Sequence, residues 1–323
     1  MIVVTGGAGF IGSRLVHALN QKGSDDILVV DHLGKSEKWR NLNGLIFADY
    51  LDRSQFIQEL EAGHFGAQIE AIFHLGACSS TIETNTGYLM ENNYRYTCRL
   101  AAWRAEHPRC RLIYASSAAT YGNGAQGYED DQSAIERLRP LNAYGFSKHR
   151  FDLVAMRKGW LRDIAGLKYF NVFGPNEGHK GAMRSLIHKS FAGLRQEGVL
   201  RLFKSYRPDF ADGEQVRDFI YVDDAVNITL FFLDNPSVNG IFNVGTGVGR
   251  TWNDLARAMF RALDMPVDIQ YIDMPAHLRG KYQYFTQAEM TKLRQAGCEH
   301  QCLSLEDAVE KYLTEYLLVE EEA

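Results

Sequence analysis

The chain has 323 residues, 46% of them hydrophobic and 23% charged, with a net charge of −5 at pH 7. That length builds an ample core as one large domain or two unequal lobes, and the charge balance offers no chain-wide basic field for nucleic acid or anionic lipid. No apolar run approaches the ~20 residues that cross a bilayer, and Cys78, Cys98, Cys110, Cys298 and Cys302 lack metal-ligand spacing, so a cytoplasmic protein with reduced thiols and no metal is expected.

Ile2-Val3-Val4 runs directly into a glycine turn with no basic leader, so no signal peptide is expected. Short apolar runs predict strands over Ile2–Thr5, Ile27–Asp31, Leu45–Ala48, Ala71–His74, Arg111–Ser116 and Gly166–Phe170. Between them, amphipathic stretches predict helices over Phe10–Lys22, Ser54–Ala62, Tyr88–Glu106 and Ala143–Trp160. This alternation predicts an α/β fold, a doubly wound parallel sheet of Rossmann-like form. The rhythm changes after Asn171: a breaker-rich loop over Gly174–Gly181 precedes a helix expected over Ala182–Gln196. A polar loop spans Tyr206–Gln215, a strand is expected over Phe219–Val222 with Asp223 or Asp224 capping the next helix, and another strand over Ile241–Val244. The expected division is a nucleotide-binding domain over 1–170, with returns of the chain around 215–245, and a smaller, interwoven substrate lobe over 171–323. The tail Glu320-Glu321-Glu322-Ala323 reads as disordered.

Gly6, Gly9 and Gly12 follow a strand and open a helix, the setting in which backbone can approach a pyrophosphate at a helix N-terminus. Asp31 ends the second strand, where a carboxylate can bind the ribose 2′-hydroxyl of NAD. Lys38 and Arg53 stand nearby as cations able to pair with the 2′-phosphate of NADP, so both nucleotides stay open. His74 through Ser79 follow the fourth strand and should border the cofactor; His74 itself reads as a hydrogen-bonded core histidine. Tyr144 and Lys148 are four apart and share one helix face, where an ammonium favours phenolate and lets the phenol take a proton from an alcohol. Together these features point to hydride chemistry on an alcohol or ketone. By spacing alone, Lys180 is a diphosphate-binding or surface lysine.

The segments Thr5–Gly12, Ser116–Gly122, Tyr144/Lys148, Tyr169–Pro175 and Arg217–Asp224 resemble the extended short-chain dehydrogenase/reductase family of nucleotide-sugar enzymes. Gly76–Thr81, Glu177–Gly181 and Tyr282–Gln287 narrow the resemblance to its ADP-glycero-manno-heptose 6-epimerases. The resemblance implies an isomerase that inverts carbon 6 by transient oxidation to a ketone and hydride return, for lipopolysaccharide inner-core heptose. It implies NADP as cofactor, with NAD possible, an ADP-heptose substrate, and a homo-oligomer, a pentamer among its forms. Ser117, Tyr144 and Lys148 become the catalytic trio, with Lys180 as a second acid/base. Implied cofactor contacts are Gly6, Gly9, Phe10, Ile11, Gly12, Asp31, His32, Lys38, Arg53, Leu75, Gly76, Ala77, Cys78, Ser79, Asn92, Tyr144, Lys148, Val172 and Lys180. Implied substrate contacts are Ser117, Asn171, Ala182, Lys189, Phe203, Lys204, Ser205, Tyr206, Arg217 and Tyr282, with Arg217 on the diphosphate.

The chain departs from that pattern at Leu75, where glutamate is common, and at Ala182 and Lys189, which replace serine and histidine. Its 207–214 loop is also longer. Dehydratases of the family carry Thr-Asp-Glu where this chain has Ser117-Ala118-Ala119, which removes the acid and base that elimination of water requires. A UDP-hexose 4-epimerase and a nucleotide-sensing protein without catalysis are the alternatives; the second has no need of an intact catalytic trio.

Overall fold

The computed structural model describes residues 1–280 and 282–322. Its strands are β1 (Ile2–Thr5), β2 (Ile27–Asp31), β3 (Asp49–Asp52), β4 (Ala71–His74), β5 (Arg111–Ser117), β6 (Ala165–Tyr169), β7 (Asn171–Phe173), β8 (Leu200–Phe203), β9 (Val216–Tyr221), β10 (Gly240–Val244), β11 (Gly249–Thr251) and β12 (Ile269–Ile272). Seven of them form one parallel sheet in the order β10-β6-β5-β4-β1-β2-β3. The order reverses between β1 and β4, and the crevice at such a switch point is where doubly wound sheets bind ligands.

Strand periodicity divides the core. Ile2 and Val4 of β1 face one apolar cluster, while Val3 faces the other. Leu15, Val16 and Leu19 of α1 (Phe10–Gln21) close the first face. On the second lie Phe56, Ile57 and Leu60 of α2 (Arg53–Glu61). A continuous helical stretch built from α3 (Thr86–Leu89), a π-turn (Met90–Arg95) and α4 (Tyr96–Glu106) packs there too, beside α5 (Ala143–Arg157). A third cluster joins α6 (Leu186–Glu197), β8, α8 (Trp252–Ala262) and the helix Leu305–Tyr312. The chain returns from it through α7 (Val222–Asp234), which packs its Val226 and Leu230 into the first cluster, and then β10. Among the described residues no helix is long and apolar enough to cross a membrane.

Several expected elements shift. The third strand is Asp49–Asp52, not Leu45–Ala48: the apolar run packs Leu45 and Phe47 against the core, and the polar residues take the edge ladder. Helix α6 starts at Leu186 because Gly181 turns the chain at a φ of 54°, outside helical space, and the Ser185 hydroxyl then accepts from the His188 amide. Neither Asp223 nor Asp224 caps α7; both lie inside its first turn, Asp223 paired with Arg14 at 2.8 Å and Asp224 with His300 at 2.8 Å. Glu320, Glu321 and Glu322 continue a terminal helix instead of fraying, and Ala323 lies outside the described residues.

One buried ion pair joins α5 to the sheet. Asp152 of α5 is 0% and Lys168 of β6 1% exposed, and the Lys168 Nζ stands 3.2 Å from Asp152 Oδ2. The carboxylate also accepts from the Tyr114 and Ser116 hydroxyls at 2.9 and 2.7 Å, while Lys168 donates to Thr120 Oγ1 at 2.5 Å. Lys168→Met strands that carboxylate without its cation, so we expect a loss of about 3–5 kcal/mol in urea unfolding. Asp152 beside hydroxyls alone with wild-type stability would remove the pair from the framework.

His74, at the end of β4, is buried between Thr5 Oγ1 at 2.7 Å and Thr97 Oγ1 at 2.9 Å. Burial, then the nearby Lys148 charge, pushes its pKa from 6.5 down to about 3. The unfolded chain accepts a proton that the native chain excludes, so this contribution is complete above pH 6.5 and fades toward pH 3. One excluded proton gives a slope of about 1.4 kcal/mol per pH unit in that window. Unfolding free energies measured from pH 7 to 4 should be flatter in His74→Gln by that amount.

Candidate active site

The glycine turn is built by close contacts that leave no room for side chains. A Cβ on Gly12 would sit 2.0 Å from the Gly6 carbonyl oxygen, and one on Gly6, whose φ is +71°, would sit 2.7 Å from the Gly76 nitrogen. Gly9 caps α1 without a side-chain bond, so the amides of the first turn face a cleft at the positive end of the helix. A cradle that any Cβ would fill suits a dinucleotide pyrophosphate. That cleft encloses about 710 Å³ and runs from the turn across the carboxyl ends of β1, β4 and β5 to β8.

Asp31 closes the turn's far side: its Oδ2 accepts from the Ala8 amide at 3.0 Å and its Oδ1 from the Lys38 ammonium at 2.5 Å. An adjoining recess of about 160 Å³ is lined by Asp31, His32, Lys38, Arg53, Cys78 and Asn92. Arg53 there bonds Asn92, and His32 bonds Asp52 at 2.9 Å, which with the Ser54 hydroxyl and amide holds that carboxyl down to about 2 against its burial. Phe10, Ile11, Leu75, Gly76, Ala77, Ser79 and Val172 line the main cleft.

Ser117, Tyr144, Lys148 and Lys180 all line that cleft, from β5, α5 and the 174–181 loop. Asn142 caps α5 by accepting from the Gly145 amide at 2.8 Å, which starts the helix just before Tyr144. Burial pushes the Tyr144 phenol up and the Ser117 hydroxyl pulls it back. Lys148 does not do so: its ammonium donates to the Ala115 carbonyl at 2.7 Å, and burial lowers it to about 8. The lysine is thus tied to the strand edge, and the expected depression of the phenol by Lys148 is absent in this state.

Lys180 owes its place to stapling of a loop. Asn41 Nδ2 donates to the Ala8 and Asn176 carbonyls at 3.0 and 3.2 Å, and Asn176 Nδ2 donates to Ser13 Oγ at 2.9 Å. These bonds fix the 174–181 loop against α1 and leave Lys180 Nζ 5.0 Å from the Phe10 ring centre, over its face. Burial lowers the Lys180 ammonium, and Glu177 opposes that.

On the remaining wall, Asn171, Ala182, Lys189, Phe203 and Tyr282 line the cleft, whereas Lys204, Ser205, Tyr206 and Arg217 fall outside its described lining. Lys204 and Tyr206 turn outward to Asp273, each at 3.1 Å, and Ser205 bonds within the 207–214 loop. Arg217 is buried behind Tyr282 and Trp252, donating to the Val216 carbonyl at 2.8 Å and to the Gln283 carbonyl. Residues that the sequence reading passed over also matter. Asn93 Oδ1 accepts from the Cys78 amide at 2.8 Å while its Nδ2 donates to the Cys78 carbonyl at 2.9 Å and Ser147 Oγ at 3.0 Å, tying the cofactor loop to the helix of Tyr144. It sits in the π-turn, a geometry frequent at functional sites. His179, Arg184, Arg201 and Gln283 also line the cleft. Away from the cleft, Asp224, His300 and Cys302 hold three ligand-type atoms within 4.8 Å of one another, although no metal was expected; Asp224 is there engaged by His300 and the Leu303 amide.

The chain is similar to known proteins in sequence and in fold. Residues 2–245 match the model of the NAD dependent epimerase/dehydratase family. The chain is 54% identical over 317 residues to a protein of Nitratidesulfovibrio vulgaris named ADP-L-glycero-D-manno-heptose-6-epimerase, covering 98% of both. It is 45% identical to one of the same name from Fusobacterium nucleatum, covering 99% of both. The crystal structure of the Helicobacter pylori ADP-L-glycero-D-manno-heptose-6-epimerase superposes with a TM-score of 0.79 at 26% identity, over 97% of this chain and 95% of that one. The chain belongs to the NAD dependent epimerase/dehydratase family.

Proposed function

We propose that this chain is an isomerase that inverts carbon 6 of ADP-D-glycero-D-manno-heptose to the L-glycero epimer, a step toward lipopolysaccharide heptose. The carbon bears an alcohol and its hydrogen is not acidic, so inversion proceeds through a ketone at that carbon. The observation that carries the reading is that Tyr144 and Lys180 reach one cleft from separate elements, with opposite shifts: the phenol up, the ammonium down. Two groups held apart in this way are suited to acid and base roles. The full-length relatives of the same name support the choice of sugar.

In this reading the glycine turn and α1 hold the pyrophosphate, Lys148 the nicotinamide ribose, and Lys38 with Arg53 the 2′-phosphate of NADP. Lys38 already neutralises Asp31, which supports NADP over NAD. A dinucleotide held by these residues would supply the hydride acceptor and donor for carbon 6. Tyr144 exchanges the proton of the carbon 6 oxygen in one epimer, steadied by Ser117, and Lys180 does so in the other. Asn171, Lys189 and Tyr282 orient the sugar and diphosphate, and Arg217 stiffens the wall behind them. The chain works as a homo-oligomer in the cytoplasm.

Each epimer, incubated without added cofactor in deuterated water, should invert with its original hydrogen kept at carbon 6 by NMR. Deuterium at that carbon would rule out internal return, and inertness toward both epimers would turn attention to UDP-hexoses. Lys180→Met should lower kcat by roughly 10²–10⁴-fold, the usual worth of a positioned acid/base. The nucleotide content of the purified protein should not change; turnover like the wild type's would remove Lys180 from the acid/base role.

A further inference from the structure

Glu177 is a carboxylate in a place where burial is costly, 1% exposed and three residues before Lys180. Its oxygens are both used: Oε2 accepts from the Ser185 amide at 2.5 Å and Oε1 from the Ser185 hydroxyl at 2.6 Å. The same residue begins the tight turn that carries Lys180, whose amide donates to the Glu177 carbonyl at 3.0 Å. Serine or asparagine could hold such a turn with neutral hydrogen bonds. What the carboxylate adds is a negative charge behind the cleft, on the turn that carries Lys180 and against the start of α6, which carries Lys189.

We propose that Glu177 is the positioning residue that sets how readily Lys180 gives and takes a proton. The proposal rests on the reading of Lys180 as the second acid/base. Burial drives both Lys180 and Lys189 toward the neutral amine, and Glu177 is the acidic group that acts against burial at each. Around Lys180 stand the Phe10 ring from α1 and His179, itself held down by burial and by the neighbouring charges of Lys38 and Lys180. Around Glu177 stand Ser185, which caps α6, and Lys189 of α6, with Arg184 adding like charge to Lys189, and Tyr312 from the helix Leu305–Tyr312. Burial, and then Glu177 itself, raises the Tyr312 phenol, so that group stays neutral and does not compete. A lysine without this counter-charge would shed its proton too readily to act as an acid toward the sugar oxygen.

The test reads the lysine directly. Trace acetylation with acetic anhydride from pH 6 to 11, quantified on the Lys180 peptide by mass spectrometry, gives its titration midpoint without substrate. In Glu177→Gln the midpoint should move acidward by about one unit, a tenfold fall in proton affinity. Glu177→Asp, which draws the charge back by one methylene, should move it by a fraction of that, and Ser185→Ala not at all. One limb of the kcat/KM profile should follow the midpoint while nucleotide content stays constant. A midpoint unmoved in Glu177→Gln overturns the proposal, and where that variant does not fold, an unmoved midpoint in Glu177→Asp does so. Shifted labelling in a protein inert toward ADP-heptose would sink the functional reading and leave the coupling standing.

Discussion

The buried pair of Asp152 and Lys168 is the constraint on which the catalytic geometry hangs. Taking both charges out of water costs several kcal/mol per ion, and the fold offsets this by satisfying the carboxylate from three sides. Each partner brings one element to a common point: Asp152 comes from α5, Lys168 from β6, Tyr114 and Ser116 from β5. Lys168 then passes the constraint forward. Thr120, to which it donates, in turn donates to the Ser117 carbonyl at 2.7 Å. Ser117 and the Tyr144 helix are therefore set against each other by charges that lie behind the cleft. A hydrophobic pair of equal volume could fill the space, but could not fix the direction of those hydroxyls.

The same burial that makes the pair rigid also decides protonation in the cleft. The chain as a whole is acidic, yet the cleft wall carries Lys148, Lys180 and Lys189, each pushed toward the neutral amine by desolvation. Carboxylates act on them from behind: Asp152 on Lys148, Glu177 on Lys180 and Lys189. An anionic substrate entering such a wall meets lysines that have lost hydration, and where they carry a proton the attraction is strong. Tyr144 is pushed the opposite way by the same loss of water.

Much of this was legible in the sequence where local chemistry decides structure. β1, β2 and β4 start and stop where their apolar runs do, and the glycine turn needs only its own backbone. Legibility failed where a distant partner decides. Asp49–Asp52 looks unlike a strand because its pairing with β2, not its composition, makes it one. Asp223 and Asp224 look like helix caps, yet Arg14 and His300 claim them from 209 and 76 residues away. Arg217 looks like a phosphate anchor, and only the fold shows its guanidinium committed to the backbone of Val216 and Gln283. Asn93 could not be told from Asn92 by any sequence signal; the π-turn turns it inward to Cys78 and Ser147.

The loop of Lys180 shows why the second acid/base depends on so many polar residues that never meet the sugar. A lysine on a free loop carries about 2 kcal/mol of side-chain rotational freedom that must be lost before it can act, besides the freedom of the loop backbone. A helix would remove the backbone part, as α5 does for Tyr144. Here the chain instead turns at Asn176 and Gly181, both at positive φ, so only a short 3-10 turn over Gly178–Met183 carries the lysine and no α-helix can form. Asn41 and Asn176 therefore fasten the loop to α1, and Glu177 fastens it to the start of α6. The fastenings join the two sides of the cleft, the glycine turn and the substrate wall, through the residue three positions before Lys180. A change that loosens either side thus reaches the lysine, while the helix of Tyr144 is tied elsewhere, through Lys148 to the Ala115 carbonyl and through Ser147 to Asn93.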